Sequence, residues 1–128
     1  MTLQRFEVGL VSADRVLVDF LAGVFELGEE PPLETPGGVL HRLASPGAVL
    51  KVMVPEQRPA EAQDAPFVAT EGMRYLTMWV TDLDAVVARA TARGATVMTE
   101  PFEYQPGMRV AILAGPQRLT LEIVEGEG

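Results

Sequence analysis

Apolar and polar positions along this chain follow a rhythm that is stated twice. In residues 6–12 (FEVGLVS), Phe6, Val8 and Leu10 alternate with Glu7, Gly9 and Val11, the period of a strand with two unlike faces. Asp14 or Ser12 then stands where a helix is capped. Val16, Leu17, Phe20, Leu21 and Val24 recur at helical spacing as its buried stripe, and Gly28 is placed to end it. Three shorter strands are predicted next, near 32–35, at 38–43 (GVLHRL) and at 48–54 (AVLKVMV). Gly37–Gly38 and Pro46–Gly47 supply the turns between them.

The pattern then restarts. YLTMWV at 75–80 reads as a strand, and Thr81-Asp82-Leu83-Asp84 has the spacing of a helix start. Leu83, Val86, Val87 and Ala90 form the buried stripe, and Gly94 suits the left-handed residue that follows a helix. Strands follow near 96–99, at 108–114 (MRVAILA) and at 118–124 (RLTLEIV), the last two joined at Gly115-Pro116. The expected fold is α+β, two β-α-β-β-β modules opening on EVGLVSAD and YLTMWVTD and arising by internal repetition. The first module occupies about 5–54 and the second about 74–125. A connector rich in Pro, Ala and acidic residues, about 55–73, joins them into one domain over 1–128.

Composition narrows the function more than the fold. No apolar stretch approaches the roughly 20 residues that span a bilayer. The opening MTLQRFEVGL has neither a charged leader nor a long apolar run, so no secretion signal is expected and a cytoplasmic protein follows. The absence of cysteine removes disulfides, thiolate metal ligands and a cysteine nucleophile. A net charge of −8 argues against nucleic acid and anionic membrane as partners. It suits solubility and would draw a cationic ligand. No GxSxG, HExxH or Gly-rich phosphate loop is present.

The two modules, the strand–Asp–helix openings at Asp14 and Asp82 and the closing GPQRLTLEIVE together resemble the vicinal oxygen chelate superfamily of glyoxalases, bleomycin-resistance proteins and extradiol dioxygenases. The closing segment is similar to that family's DPxGNxxEL ending. Pro116 and Glu122 match it, while Gly115, Arg118 and Leu119 replace its Asp, Gly and Asn. The resemblance spans roughly 6–54 and 74–125. It implies a cup-shaped mixed sheet with the helices on the outer face, a ligand held between the modules, and metal ligands on the first and last strand of each module. Those positions correspond here to Glu7, Lys51, Tyr75 and Glu122. Alternation agrees with an inward placement: Leu50, Val52, Leu121 and Ile123 face one way, and Lys51 and Glu122 the other.

These residue types depart from a metal site. A lysine ammonium has three donors and no lone pair, and tyrosine ligates poorly below its pKa of about 10. The single histidine, His41, falls on a middle strand, where a local hydrogen bond accounts for it. No metal cofactor is therefore expected. Lys51 reads as a replacement for the metal's charge, set among carboxylates either as a buried ion pair or as a charge that orients a ligand. Tyr75, Thr77 and Trp79 share one strand face and form a ligand wall. Phe102 and Tyr104, in FEYQPGM, read as a loop or strand edge at the rim, and Arg109 reaches either a ligand or a surface acid.

The resemblance then implies a metal-free small-molecule-binding protein with Glu7, Lys51, Tyr75, Thr77, Trp79 and Glu122 on an aromatic or cationic ligand. The alternative it implies is a glyoxalase-like lyase, epimerase or dioxygenase with a degenerate metal site. Glu122 would be its catalytic proton-transfer residue, and Lys51 would steady a developing oxyanion. A homodimer is expected, because related proteins complete their cups with modules from two chains and the first strand leaves an edge to cover.

Overall fold

A computed structural model of the protein describes residues 2–63 and 68–126. It contains two compact units, Met1–Glu61 and Ala62–Gly128. Residues 64–67 of the expected connector lie outside those described.

The first unit runs β1 (Val8–Val11), α1 (Val16–Phe25), β2 (Gly28–Glu29), β3 (Leu33–Thr35), β4 (Gly38–Ser45) and β5 (Ala48–Pro55). Its sheet has the order β1-β5-β4-β2, with β3 also on β4. β1 lies parallel to β5, and the other pairs are antiparallel. The two-residue Pro46-Gly47 connection pairs Ser45 with Ala48, and every later pair follows from it. Gly38, at φ 152°, allows a close approach of β4 to β5: a Cβ there would collide with the Val54 carbonyl oxygen. α1 packs on β4. Leu17, Val18, Phe20, Leu21 and Val24 of α1 are buried, as are Leu43, Leu50 and Val52 of the sheet.

Two expectations for α1 are corrected. Val16 is 54% exposed, and Val18 takes its place in the buried stripe. The helix begins only at Val16, with the Asp14 carboxylate accepting from the Val16 N–H, so the buried stripe starts one residue later, at Leu17. Gly28 does not end it either. Glu26 adopts the left-handed conformation (φ 55°), its N–H donating to Ala22 O, and Gly28 is already in β2.

The second unit runs β6 (Tyr75–Val80), α2 (Leu83–Ala92), β7 (Thr96–Gln105), β8 (Met108–Ala114) and β9 (Thr120–Glu125), a β-α-β-β-β order. The sheet order is β6-β9-β8-β7, with β6 and β9 parallel. Asp82 caps α2 by accepting from Ala85 N at 3.1 Å, and the Glu125 carboxylate accepts from Leu83 N at 2.9 Å. Gly94, at φ 93°, ends the helix as expected: its N–H donates to Thr91 O while the Ala95 N–H donates to Ala90 O. The strand expected near 96–99 extends to Gln105, carrying Phe102 and Tyr104 within β7. Register shifts between Val97 and Thr99, and again before Phe102, let that long edge strand stay paired with β8. A single 3-10 turn, Pro116–Arg118, delays the last strand to Thr120.

Candidate functional site

Parity sorts each sheet into two chemistries. In the second unit Ala111, Leu113, Leu121 and Ile123 are buried on the α2 side. Arg109 and Glu125 share that side, and both reach α2. The opposite face carries, row by row, Tyr75–Thr120–Ala114, Thr77–Glu122–Ile112 and Trp79–Val124–Val110–Phe102. Tyr75 and Trp79 are each half exposed, and the Phe102 ring meets Tyr104 edge-on at 6.5 Å. Aromatic rings kept at the surface while Val110 and Val124 are buried make a flat apolar platform with polar tips. In its middle, Thr77 Oγ1 donates to Glu122 Oε1 at 2.8 Å. Glu122 Oε2 has no partner among the described residues.

The first unit also divides. Leu43, Leu50 and Val52 are buried beneath α1, whereas Glu7, Lys51 and Arg42 belong to the other face. Lys51 Nζ lies 3.6 Å from Glu7 Oε1, and Arg5 forms a second ion pair with Glu7. The side chains of Lys51 and Glu7 are 36% and 20% exposed. Lys51 is therefore in a loose, partly solvated pair with Glu7, where the sequence left open a buried ion pair or a ligand-orienting charge. Arg42 was not singled out by sequence reasoning. Counting back from the Pro46-Gly47 turn, which pairs Ser45 with Ala48, places it directly opposite Lys51.

His41 and Arg109 lie on the helix-covered sides of their sheets. His41, buried on the α1 side, has Nδ1 at 3.5 Å from Arg15 Nη1 and 3.7 Å from Glu29 Oε1. Arg15 also grips Glu29 with both terminal nitrogens, at 2.9 and 3.1 Å, and reaches Asp19 at 3.0 Å. Hydrogen bonding to Arg15 holds the Glu29 carboxyl below the usual carboxylate range. The cluster ties β2 to the start of α1 and accounts for His41 as a structural residue. Arg109 makes a two-pronged contact with Asp84 on α2, at 3.0 and 3.1 Å, so it serves a surface acid. That contact lowers the Asp84 pKa and raises that of Arg109.

Among the described residues no three of His, Asp and Glu come together as a metal site. The donor chemistry agrees. One family position is an ammonium held by a carboxylate, and Tyr75 is a half-exposed phenol. The residues present do not fit a divalent ion.

The sequence model of the Glyoxalase/Bleomycin resistance protein/Dioxygenase superfamily matches residues 11–112. The chain belongs to this superfamily. A glyoxalase family protein from Bacillus cereus is 21% identical at a TM-score of 0.77, over 100% of this chain and 97% of that one. A glyoxylase/bleomycin resistance protein/dioxygenase domain from Frankia is 18% identical, TM-score 0.75, over 98% and 100%. The fosfomycin resistance protein FosX from Listeria monocytogenes, solved with Mn(II) and sulfate, is 14% identical, TM-score 0.73, over 99% and 95%. No curated protein matches the chain in sequence. At these identities the superfamily members share the fold with this chain, two units each with a mixed sheet and one helix. Among the described residues no helix is long and apolar enough to cross a membrane.

Proposed function

We propose that the protein is a metal-free, small-molecule-binding member of the superfamily, a cytoplasmic homodimer whose ligand is aromatic or cationic. The observation that carries this reading is the second unit's face opposite α2, where Tyr75 and Trp79 flank the Thr77–Glu122 pair. A planar ligand gains contact with two half-exposed rings. A positive charge on it gains cation–π attraction of about 0.5–2 kcal/mol. The Thr77 hydroxyl fixes one carboxylate oxygen of Glu122 and leaves the other to accept an N–H from the ligand.

Trp79 is the only tryptophan, so its emission reports on this face directly. A panel of aromatic amines should quench or shift it saturably, and Glu122→Gln should weaken the effect by about tenfold. Unchanged emission and unchanged melting temperature across the panel would defeat the proposal. A lyase, epimerase or dioxygenase with Glu122 moving a proton would replace it on two findings together: stoichiometric Zn, Ni, Mn or Fe in protein purified without chelator, and proton exchange into an α-keto or methylmalonyl-type substrate. Light scattering at micromolar concentration tests the dimer, and a monomer would refute it.

A further inference from the structure

The face of the first sheet opposite α1 carries charge of the wrong sign for this protein. The chain as a whole is at −8, yet Arg42 and Lys51 stand directly opposite one another on β4 and β5. Directly opposed side chains in a sheet start about 5 Å apart, where like charges repel. Nothing in the pairing of the strands requires this. One carboxylate, Glu7, serves both Lys51 and Arg5. Its 3.6 Å separation from Lys51 Nζ is longer than a hydrogen bond, so the ammonium is only loosely held.

Arg42 is worse provided for. Its Nη2 donates to Pro31 O at 3.2 Å, while its Nε is buried without any hydrogen-bond partner. Among the described residues no carboxylate is ion-paired with it. Glu29, on the neighbouring strand, is turned to the opposite face and gripped by Arg15. Glu30 meets Arg42 through its backbone N–H, which donates to Arg42 O at 2.9 Å. A guanidinium N–H taken out of water without an acceptor is destabilising unless something supplies one.

We propose that Arg42 and Lys51 form a binding site for a small oxyanion, a carboxylate, phosphate or sulfate group, on the face of the first sheet opposite α1. The guanidinium presents a planar fork that matches two oxygens of such a group, and the ammonium adds a mobile point charge. A bound oxyanion gives the Nε–H its missing acceptor, screens the Arg42–Lys51 repulsion and competes with Glu7 for Lys51. The site deepens the small-molecule-binding reading, on which its biological use rests. The site itself stands on first-unit geometry alone.

The test is a titration of the full chain with inorganic phosphate, sulfate or acetate at constant ionic strength, followed in 15N spectra. The Arg42 Nε–H signal and the Lys51 and Gly9 amides should shift saturably. Binding should weaken about tenfold or more in Arg42→Gln and in Lys51→Gln, stay unchanged in Arg58→Gln, and tighten several-fold in Glu7→Gln. Saturation by acetate in preference to phosphate or sulfate identifies a carboxylate site, and the reverse order a phosphoryl or sulfuryl one. Linear shifts, identical in Arg42→Gln, Lys51→Gln and Arg58→Gln, would be plain screening and would overturn the proposal. If Arg42→Gln does not fold, Lys51→Gln carries the test. Aromatic amines read by Trp79 report on the second unit, so a failure there and a failure here are separate results.

Discussion

Replacing Lys51 by methionine separates a ligand-directed charge from a structural one. A deeply buried ion pair would lose about 3–5 kcal/mol when one partner is removed, because the other is stranded without water. The geometry here argues for far less. Two unit charges near 4 Å apart in a water-like medium attract by about 1 kcal/mol, and this pair sits at 3.6 Å with the lysine side chain 36% exposed. Exposed pairs measure roughly 0.2–1 kcal/mol once side-chain ordering is deducted. Removing Lys51 also relieves its repulsion from Arg42 across the strands, an opposing contribution of similar size. Lys51→Met should therefore change stability by less than about 1 kcal/mol, a melting shift of at most about 4 °C. Urea unfolding with a shared m-value measures this, and the same protein should have lost phosphate binding. A loss of 3 kcal/mol or more, largely recovered when Glu7→Leu is added, would show that the pair is desolvated and that its role is structural.

Three further outcomes follow from the same geometry. Glu122→Gln keeps an oxygen that can accept from Thr77, so it should cost less than about 1 kcal/mol of stability while weakening aromatic-amine binding; a larger stability loss than binding loss would reverse the assignment. Adding micromolar Zn, Ni or Mn should leave the melting temperature nearly unchanged, since a tightly bound native-state ligand must raise it; a saturable rise of several degrees, lost in Glu122→Gln, would restore the metal reading. Asp84 has its folded pKa lowered by Arg109, so its stabilisation is fully present above the ordinary aspartate value and disappears as pH falls through the folded one. The stability gap between wild type and Arg109→Gln should thus be constant from neutral pH to about 5 and close in stronger acid; a gap that persists undiminished to the lowest pH would rule that coupling out.

The sequence alone determined the strand–helix–strands order of both units, apart from the two-residue β2, because strand and helix periods are local properties of side-chain spacing. It also placed Lys51, Glu122, Tyr75, Thr77 and Trp79 on the faces opposite the helices, since parity along a strand is set by covalent geometry. Where local signals were weak or several residue types could serve, the reading erred. A left-handed helix end favours glycine, yet tertiary pairing drew Gly28 into β2 and left Glu26 to bear the unfavourable conformation. Val16 fits the apolar spacing of α1 but opens the helix at its exposed end. Pairing partners were the larger gap. Whether Lys51 meets Glu7, whether Arg109 meets Asp84 and whether His41 meets Arg15 depend on which strands and helices become neighbours. Those contacts join residues far apart in the chain, and no local pattern encodes them. Arg42 lies between the two cases. The Pro46-Gly47 turn sets the register that brings it opposite Lys51, but only the folded sheet shows its Nε buried without an acceptor, because burial is decided by everything packed around an atom and not by its place in the sequence.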